Sequence, residues 1–361
     1  MPAQDIIVIG GSAGGLEALE KVLAGLPRQL NAALFAVLHT SSQGGVALPQ
    51  ILARSGALPV SFAAEGESIE RGHVYVAPPD HHLTLEGGTI SVHRGPRENG
   101  FRPAVDPLFR SAAREYDGRV VAVVLSGALD DGTFGLMAVK EAGGTAIVQH
   151  PYEAFVPSMP LSAIQNVEVD HIVRVGDMPP LLIEATEHGL RGESRHAKRM
   201  NNTPKEVDPT GRDINLNGVP PDTLVEPPST FVCPDCGGSL WEVQEGGLTR
   251  YRCHTGHGFT GDTLLAAQNG KLESALWSAV RVLMERAALH RQLADRTASR
   301  GMAAAAERYH DRAHQEEAKA NLIRDMLAGM PIPMESSLAS ADPAANTETS
   351  PTEAGVRYRT S

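Results

Sequence analysis

Cysteine is scarce in this chain of 361 residues: there are three, all between positions 233 and 253. A disulfide framework is thereby excluded, because one pair would leave an odd thiol. No basic, apolar leader marks the N-terminus either, so an oxidising compartment is not indicated. Long apolar runs are missing as well. None reaches the ~18 residues that a membrane helix needs, so the reading is a cytoplasmic chain without membrane insertion. Positive charge is in short supply, with 32 Lys and Arg against 43 Asp and Glu and a net charge of −11. That balance argues against nucleic acid as a partner. There is no Walker-type phosphate loop and no internal repeat.

What is present concentrates in the first half. Residues 6–10 (IIVIG) form an apolar strand running into Gly-Gly-Ser-Ala-Gly-Gly, and an amphipathic helix follows from about Leu16. Ser12 therefore sits on a flexible strand-to-helix turn, at the sheet edge where open α/β folds build their sites. The N–H groups of Ala13, Gly14 and Gly15 lie at a helix start, where they can hold an anion or a developing oxyanion. A dinucleotide fingerprint fails here, because Ser12 occupies its second glycine position and no acidic residue ends the next strand. That strand, Ala32 to Leu38, ends in His39 instead. A third run, Arg119 to Leu125, carries no charge after its first residue, as a strand buried on both faces would, and leads to Asp130-Asp131-Gly132. Three strand ends thus offer Ser12 as nucleophile, His39 as base and an aspartate to orient the base. Taken singly, each residue is more often turn, capping or surface chemistry than catalytic. Asp106 before Pro107, for example, reads as the N-cap of a helix over 107–116.

In their order, the segments IGGSAGGLEAL, VLHTSS, GHVYVAPPDHHL, RPAVDPLFRSAA, VVLSGALDDGTFGL and EAGGTAIVQHPYEAFVPSMPLSAI resemble the catalytic domain of the chemotaxis protein-glutamate methylesterases (CheB-type) over about residues 4–185. The resemblance implies a doubly wound α/β fold with a mostly parallel, Rossmann-like sheet. It implies Ser12, His39 and Asp131 as the triad, no catalytic cofactor, and hydrolysis of glutamyl methyl esters or deamidation of glutamines on chemoreceptor-like proteins. Arg102 and His82 match family positions and are expected to position substrate. Ala13 stands where the family often has threonine, and Ala128 where it has methionine near the oxyanion. The family usually carries a phosphoacceptor receiver domain ahead of this one. Here the match begins within the first few residues, which implies regulation of another kind. The competing reading is a non-enzymatic sensory or scaffold protein that keeps the fold.

The second half holds Cys233-x2-Cys236 and, after sixteen residues, Cys253-x3-His257. This is zinc-ribbon spacing, read as a structural zinc site with Cys233, Cys236, Cys253 and His257 as ligands. His254 is the second choice for the fourth ligand, because it would have to turn back sharply beside Cys253. Apolar residues at helical spacing follow: Leu272, Ala275, Leu276, Ala279, Val280, Leu283 and Met284. The expected organisation is a catalytic domain over 1–187, a polar linker over 188–230, a ribbon over 231–260, a helical hairpin over 261–330 and a disordered tail over 331–361. The hairpin packs on itself or on the ribbon, and it offers a face for sensory partner proteins.

Overall fold

The computed structural model describes residues 4–39, 47–188, 228–245 and 248–329. Thr40 to Ser42, most of the expected linker and the whole expected tail lie outside these residues. In chain order the first part runs β1 (Ile6–Gly11), α1 (Gly15–Ala24), β2 (Ala33–Leu38), α2 (Leu48–Ser55), β3 (Val60–Phe62), β4 (Val74–Val76), β5 (His82–Glu86), β6 (Thr89–His93), α3 (Val105–Tyr116), β7 (Val120–Val124), α4 (Thr133–Glu141), β8 (Thr145–Gln149), α5 (Ser158–Asn166), β9 (His171–Val173) and α6 (Met178–His188). Four elements differ slightly from expectation, one being β2, which starts at Ala33 rather than Ala32. β1 gains Gly11, α3 starts two residues early, and the strand expected from Arg119 starts at Val120 because Asp117–Arg119 forms a 3-10 turn.

Seven strands form one parallel sheet in the order β3-β4-β2-β1-β7-β8-β9. Chain order reverses between β1 and β7, so a switch point opens at their carboxyl ends. Alternation within the strands divides the core. Ile6 and Val8 face α3, α4 and α5, whereas Ile7 and Ile9 face α1, α2 and α6. All six residues of β1 are buried, as are all six of β2 and all five of β7. This is why their sequences read as unbroken apolar runs. The antiparallel β5–β6 hairpin packs against α3 on the first side.

The second part holds β10 (Leu240–Glu245), β11 (Leu248–Cys253), β12 (Gly258–Phe259), α7 (Gly261–Ala298) and α8 (Ala303–Ala328). The three strands form a small antiparallel sheet around Leu240, Cys253 and Phe259. Thr260 and Thr263 close a reciprocal capping box that starts α7 directly after β12. The two helices pack on each other through small residues seven apart: Val280, Ala287 and Ala294 against Ala306, Ala313 and Ala320. Of the expected stripe, Val280 is fully buried, while Leu272 and Ala275 are exposed.

The site end of β1 has no room for a side chain. A Cβ on Gly10 would lie 2.2 Å from Val105 Cγ1 at the start of α3. Gly10→Ala should lower stability by about 1–3 kcal/mol in urea unfolding. Adding Val105→Ala should recover part of that loss. A Gly10→Ala protein as stable as the parent would show that β1 and α3 are free to separate.

Candidate active site

Ser12 follows β1, His39 follows β2, and Asp131 lies seven residues beyond β7. Gly11 and Leu38 are register partners, and the His39 N–H donates to Gly11 O at 3.1 Å. This places Ser12 and His39 side by side on the sheet edge. His39 Nε2 lies 2.8 Å from Asp131 Oδ2. An ionised carboxylate only accepts, so Nε2 carries the proton and Nδ1 holds the free lone pair. His39 Nδ1 is buried and without a hydrogen-bond partner. It is a ring nitrogen with a lone pair free to accept a proton.

Asp131 is fully buried and accepts from five donors. Oδ2 takes His39 Nε2 and Val105 N, at 2.8 and 2.7 Å. Oδ1 takes Asn99 Nδ2, Gly132 N and Asp106 N, at 2.8, 2.9 and 3.2 Å. Burial alone would raise its pKa, but the hydrogen bonds and the charge of His39 outweigh that, and the group is held below the ordinary carboxylate range. Val105 and Asp106 open α3, so Asp131 is also that helix's cap, supplied from elsewhere in the chain.

Asp106 returns the service, which corrects the expectation that it caps its own helix. The residue preceding α3 is Ala104, which has no capping side chain, and Asp106 lies inside the first turn. Its Oδ1 accepts from Gly132 N and Gly135 N, at 3.1 and 2.7 Å, which are orphan donors at the start of α4. Gly132 has no side chain with which to cap α4, so the cap comes across from α3. Burial and the Asp131 charge push the Asp106 carboxyl up to about 6.

Two residues that sequence reasoning missed hold the triad from one four-residue turn. Glu98 and Phe101 bridge, with Asn99 (φ 54°) and Gly100 (φ 83°) between them in left-handed conformation. Asn99 donates to Asp131 and to Asp106 Oδ2, at 2.8 and 2.9 Å. Phe101 stacks on His39, with centroids 3.7 Å apart and planes 11° off parallel. The available signal was the Asn-Gly pair, which favours a tight hairpin turn.

The expected positioning residues are placed differently. His82 is buried, with Nε2 donating to Pro96 O at 2.8 Å and Nδ1 accepting from Ala104 N at 3.3 Å. Both nitrogens are engaged, so His82 braces the loops beside the site and has no hydrogen-bonding atom left for substrate. Arg102 is tied to Asp80 Oδ1 at 2.7 Å and to Gly95 O at 2.7 Å. At the nucleophile turn, Gly15 N donates to Ser12 O at 2.8 Å and is occupied. Among the described residues, the N–H groups of Ala13 and Gly14 have no acceptor, which leaves these two for the oxyanion. Ser126 Oγ steadies the turn by donating to Ala13 O at 2.6 Å. Met159 packs against Gly127 beside the serine turn: a Cβ on Gly127 would lie 2.0 Å from Met159 Sδ and 2.9 Å from Ser12 Cβ.

The second cluster brings together Cys233, Cys236, Cys253 and His257, with ligand atoms all within 4.8 Å of one another. Cys236 Sγ to Cys253 Sγ is 3.6 Å, and His257 Nδ1 lies 3.7 and 3.5 Å from Cys233 and Cys253. A tetrahedron with metal–sulfur arms of about 2.3 Å has edges of about 3.7 Å, so the set fits zinc. His254 is exposed and outside the cluster.

This ribbon is docked on the catalytic domain by charge. Arg250 of β11 is fully buried, with NH2 3.1 Å from Glu98 Oε2 and 3.7 Å from Asp106 Oδ2, and its guanidinium lies 4.7 Å from the Phe134 ring centre. Arg110 holds the other side of Glu98 at 2.7 Å. Burial would raise the Glu98 pKa, but the charges of Arg110, Arg252 and Arg250 keep it far below the ordinary range.

Asp130, beside Asp131, behaves oppositely. Burial drives it up to about 7, against a hydrogen bond from Thr260 at the end of the ribbon. The folded chain therefore binds a proton that the unfolded chain releases near pH 4, and the penalty is present above pH 7 and relieved as pH falls through 7. Asp130→Asn should raise Tm by a few degrees at pH 8, and by clearly less at pH 5, as the penalty fades between about pH 7 and pH 4. An equal effect at both pH values would show that the carboxyl is not protonated in the fold.

Residues 7–182 match the CheB methylesterase family model. A protein-glutamate methylesterase/protein-glutamine glutaminase of Anaeromyxobacter dehalogenans is 37% identical over 182 residues, which is 50% of this chain and 53% of that protein. A Leptospira interrogans protein provisionally named for the same two activities is 37% identical over 187 residues, covering 52% of this chain and 97% of that one. The crystal structure of the Thermotoga maritima CheB methylesterase catalytic domain is 33% identical and superposes with a TM-score of 0.49, covering 50% of this chain and 98% of that chain. The chain belongs to the CheB methylesterase family.

Proposed function

We propose that this chain is a protein-glutamate methylesterase that hydrolyses glutamyl methyl esters on chemoreceptor-like proteins and deamidates glutamines by the same route. The observation that carries the reading is the His39–Asp131 pair at 2.8 Å, with the buried His39 Nδ1 unpartnered next to the serine turn. Ser12 Oγ attacks the ester carbonyl as His39 Nδ1 takes its proton. Asp131 stabilises the imidazolium that forms. The N–H groups of Ala13 and Gly14 hold the oxyanion. Collapse returns the proton to the leaving oxygen, and methanol departs; from a glutamine, ammonia departs. Water then attacks the acyl-enzyme, giving its proton to His39, which returns it to Ser12 as glutamate is released.

The scaffold alternative gains nothing from this site, where the oriented His39–Asp131 pair beside the Ser12 turn supports a relay. The domain boundaries follow the reading given above: esterase over 1–187, ribbon over 231–260 and hairpin over 261–330. The ribbon holds a structural zinc through Cys233, Cys236, Cys253 and His257, and the zinc enters no chemical step. Three clustered reduced thiols suit a cytoplasmic setting. The helices remain as a surface for sensory partners.

The test is methanol release from a methyl-esterified receptor cytoplasmic fragment. Ser12→Ala should reduce kcat by about a thousandfold or more, with Asp131→Asn also severely impaired. Release that persists in Ser12→Ala would remove the nucleophile. No release from the parent protein would overturn the esterase reading.

A further inference from the structure

The ribbon and the triad are joined by an unusually short path. Cys253 ends β11, and its N–H donates to His257 O at 3.0 Å, closing the loop that carries two cluster residues. Gly258 follows His257 directly. Its carbonyl accepts from Asn99 N at 2.8 Å, and its N–H donates to Arg97 O at 3.3 Å. Glu98 and Gly258 are parallel bridge partners, so the ribbon extends the backbone of the turn that carries Asn99 and Phe101. From His257, one peptide bond and one hydrogen bond lead to Asn99. One more hydrogen bond, from Asn99 Nδ2, reaches Asp131 Oδ1 at 2.8 Å. Arg250 grips Glu98 from the same strand that ends in Cys253. Both halves of the His39–Asp131 pair therefore rest on a turn whose outer edge belongs to the metal-binding module.

We propose that the Cys233/Cys236/Cys253/His257 ribbon is a positioning module of the esterase, and that divalent zinc bound there makes the triad competent by fixing the Glu98–Phe101 turn. Asn99 is the positioning residue through which the module acts. It touches no reacting atom, and its amide holds Asp131 at the angle that His39 requires. With the metal removed, the loop between Cys253 and Gly258 loses its tie and the Asn99 N–H loses its acceptor. Asp131 then keeps its helix-terminal donors but loses the constraint from the turn. Supporting groups of this kind typically change rates by about ten- to a hundredfold when lost. The proposal rests on the esterase reading for its kinetic consequence only; its structural consequence can be read without turnover.

The experiment uses the full chain in zinc-loaded form, after chelation, and after zinc is returned. Metal content is measured directly. The low-field proton resonance of His39 Nε2–H reports the bond to Asp131, and kcat and KM are taken from methanol release. Chelation should weaken or abolish the low-field resonance and lower kcat about tenfold or more with KM little changed, and zinc should restore both. Asn99→Ala should reproduce the kcat loss with zinc still bound. Cys236→Ser should lose zinc and behave as the chelated protein. A metal-free chain with the resonance and kcat of the loaded one would overturn the proposal, as would an Asn99→Ala protein with unchanged kcat. If the loaded parent releases no methanol, the esterase reading falls. The resonance then decides this proposal alone: its loss on chelation supports the coupling, and its persistence overturns it.

Discussion

The buried carboxylate of Asp131 is the constraint on which the rest of the site depends. A lone carboxylate in this position would be severely destabilising, and five donors remove that difficulty. Two of them open α3, and a third, Gly132 N, leads into α4, so Asp131 is also the point where two helices meet. Asp106 closes the arrangement by capping α4 from within α3. Each helix is thus started by an aspartate of the other's segment. The backbone cannot shift at either helix start without disturbing the acid, and the acid cannot move without leaving helix donors orphaned. The positioning needed for catalysis is built from interactions that the fold requires in any case.

The same logic reaches the ribbon. Glu98, Asp106 and Asp131 are three acids buried in one small volume, and Arg110 supplies a cation from α3. A second comes from Arg250, outside the family-matched segment of residues 7–182. Removing one partner of such a buried set typically costs about 3–5 kcal/mol, because it leaves charge unmatched. The second half of the described chain is therefore tied to the electrostatics of the first, while the long helices pack mainly on each other through alanine.

The parts legible in the sequence were those set by period and by strand ends. Apolar runs from Ile6, from Ala32 and after Arg119 marked buried strands, and in a parallel sheet their carboxyl ends share an edge. Ser12, His39 and the Asp130–Asp131 pair could be put at one edge for that reason, and the family resemblance pointed to Asp131 within the pair. Cysteine spacing placed the four ribbon residues, and the stereochemical objection to His254 agreed with the structure. What stayed hidden was tertiary. Asp106 preceding a proline looks like a local cap, and nothing local shows that its carboxylate serves another helix. His82 and Arg102 sit beside the site in sequence, but buried hydrogen bonds to Pro96 and Ala104, and an ion pair with Asp80, hold them in the scaffold. Asn99 and Phe101 lay in a visible Asn-Gly turn, but which groups that turn would face depended on the docking of α3 and β12. Arg250 reads as a surface residue of a small hairpin until its partners are known.

The measurement that bears most directly on this account is the tautomer of His39, read by nitrogen NMR on imidazole-labelled full-length protein near neutral pH. In its neutral form the ring is predicted to carry its proton on Nε2, hydrogen-bonded to Asp131, leaving Nδ1 without a partner. Replacing Asp131 with alanine should erase that preference. A ring protonated at Nδ1 with Nε2 bare would contradict the account, because the nitrogen assigned to take the serine proton would already carry one.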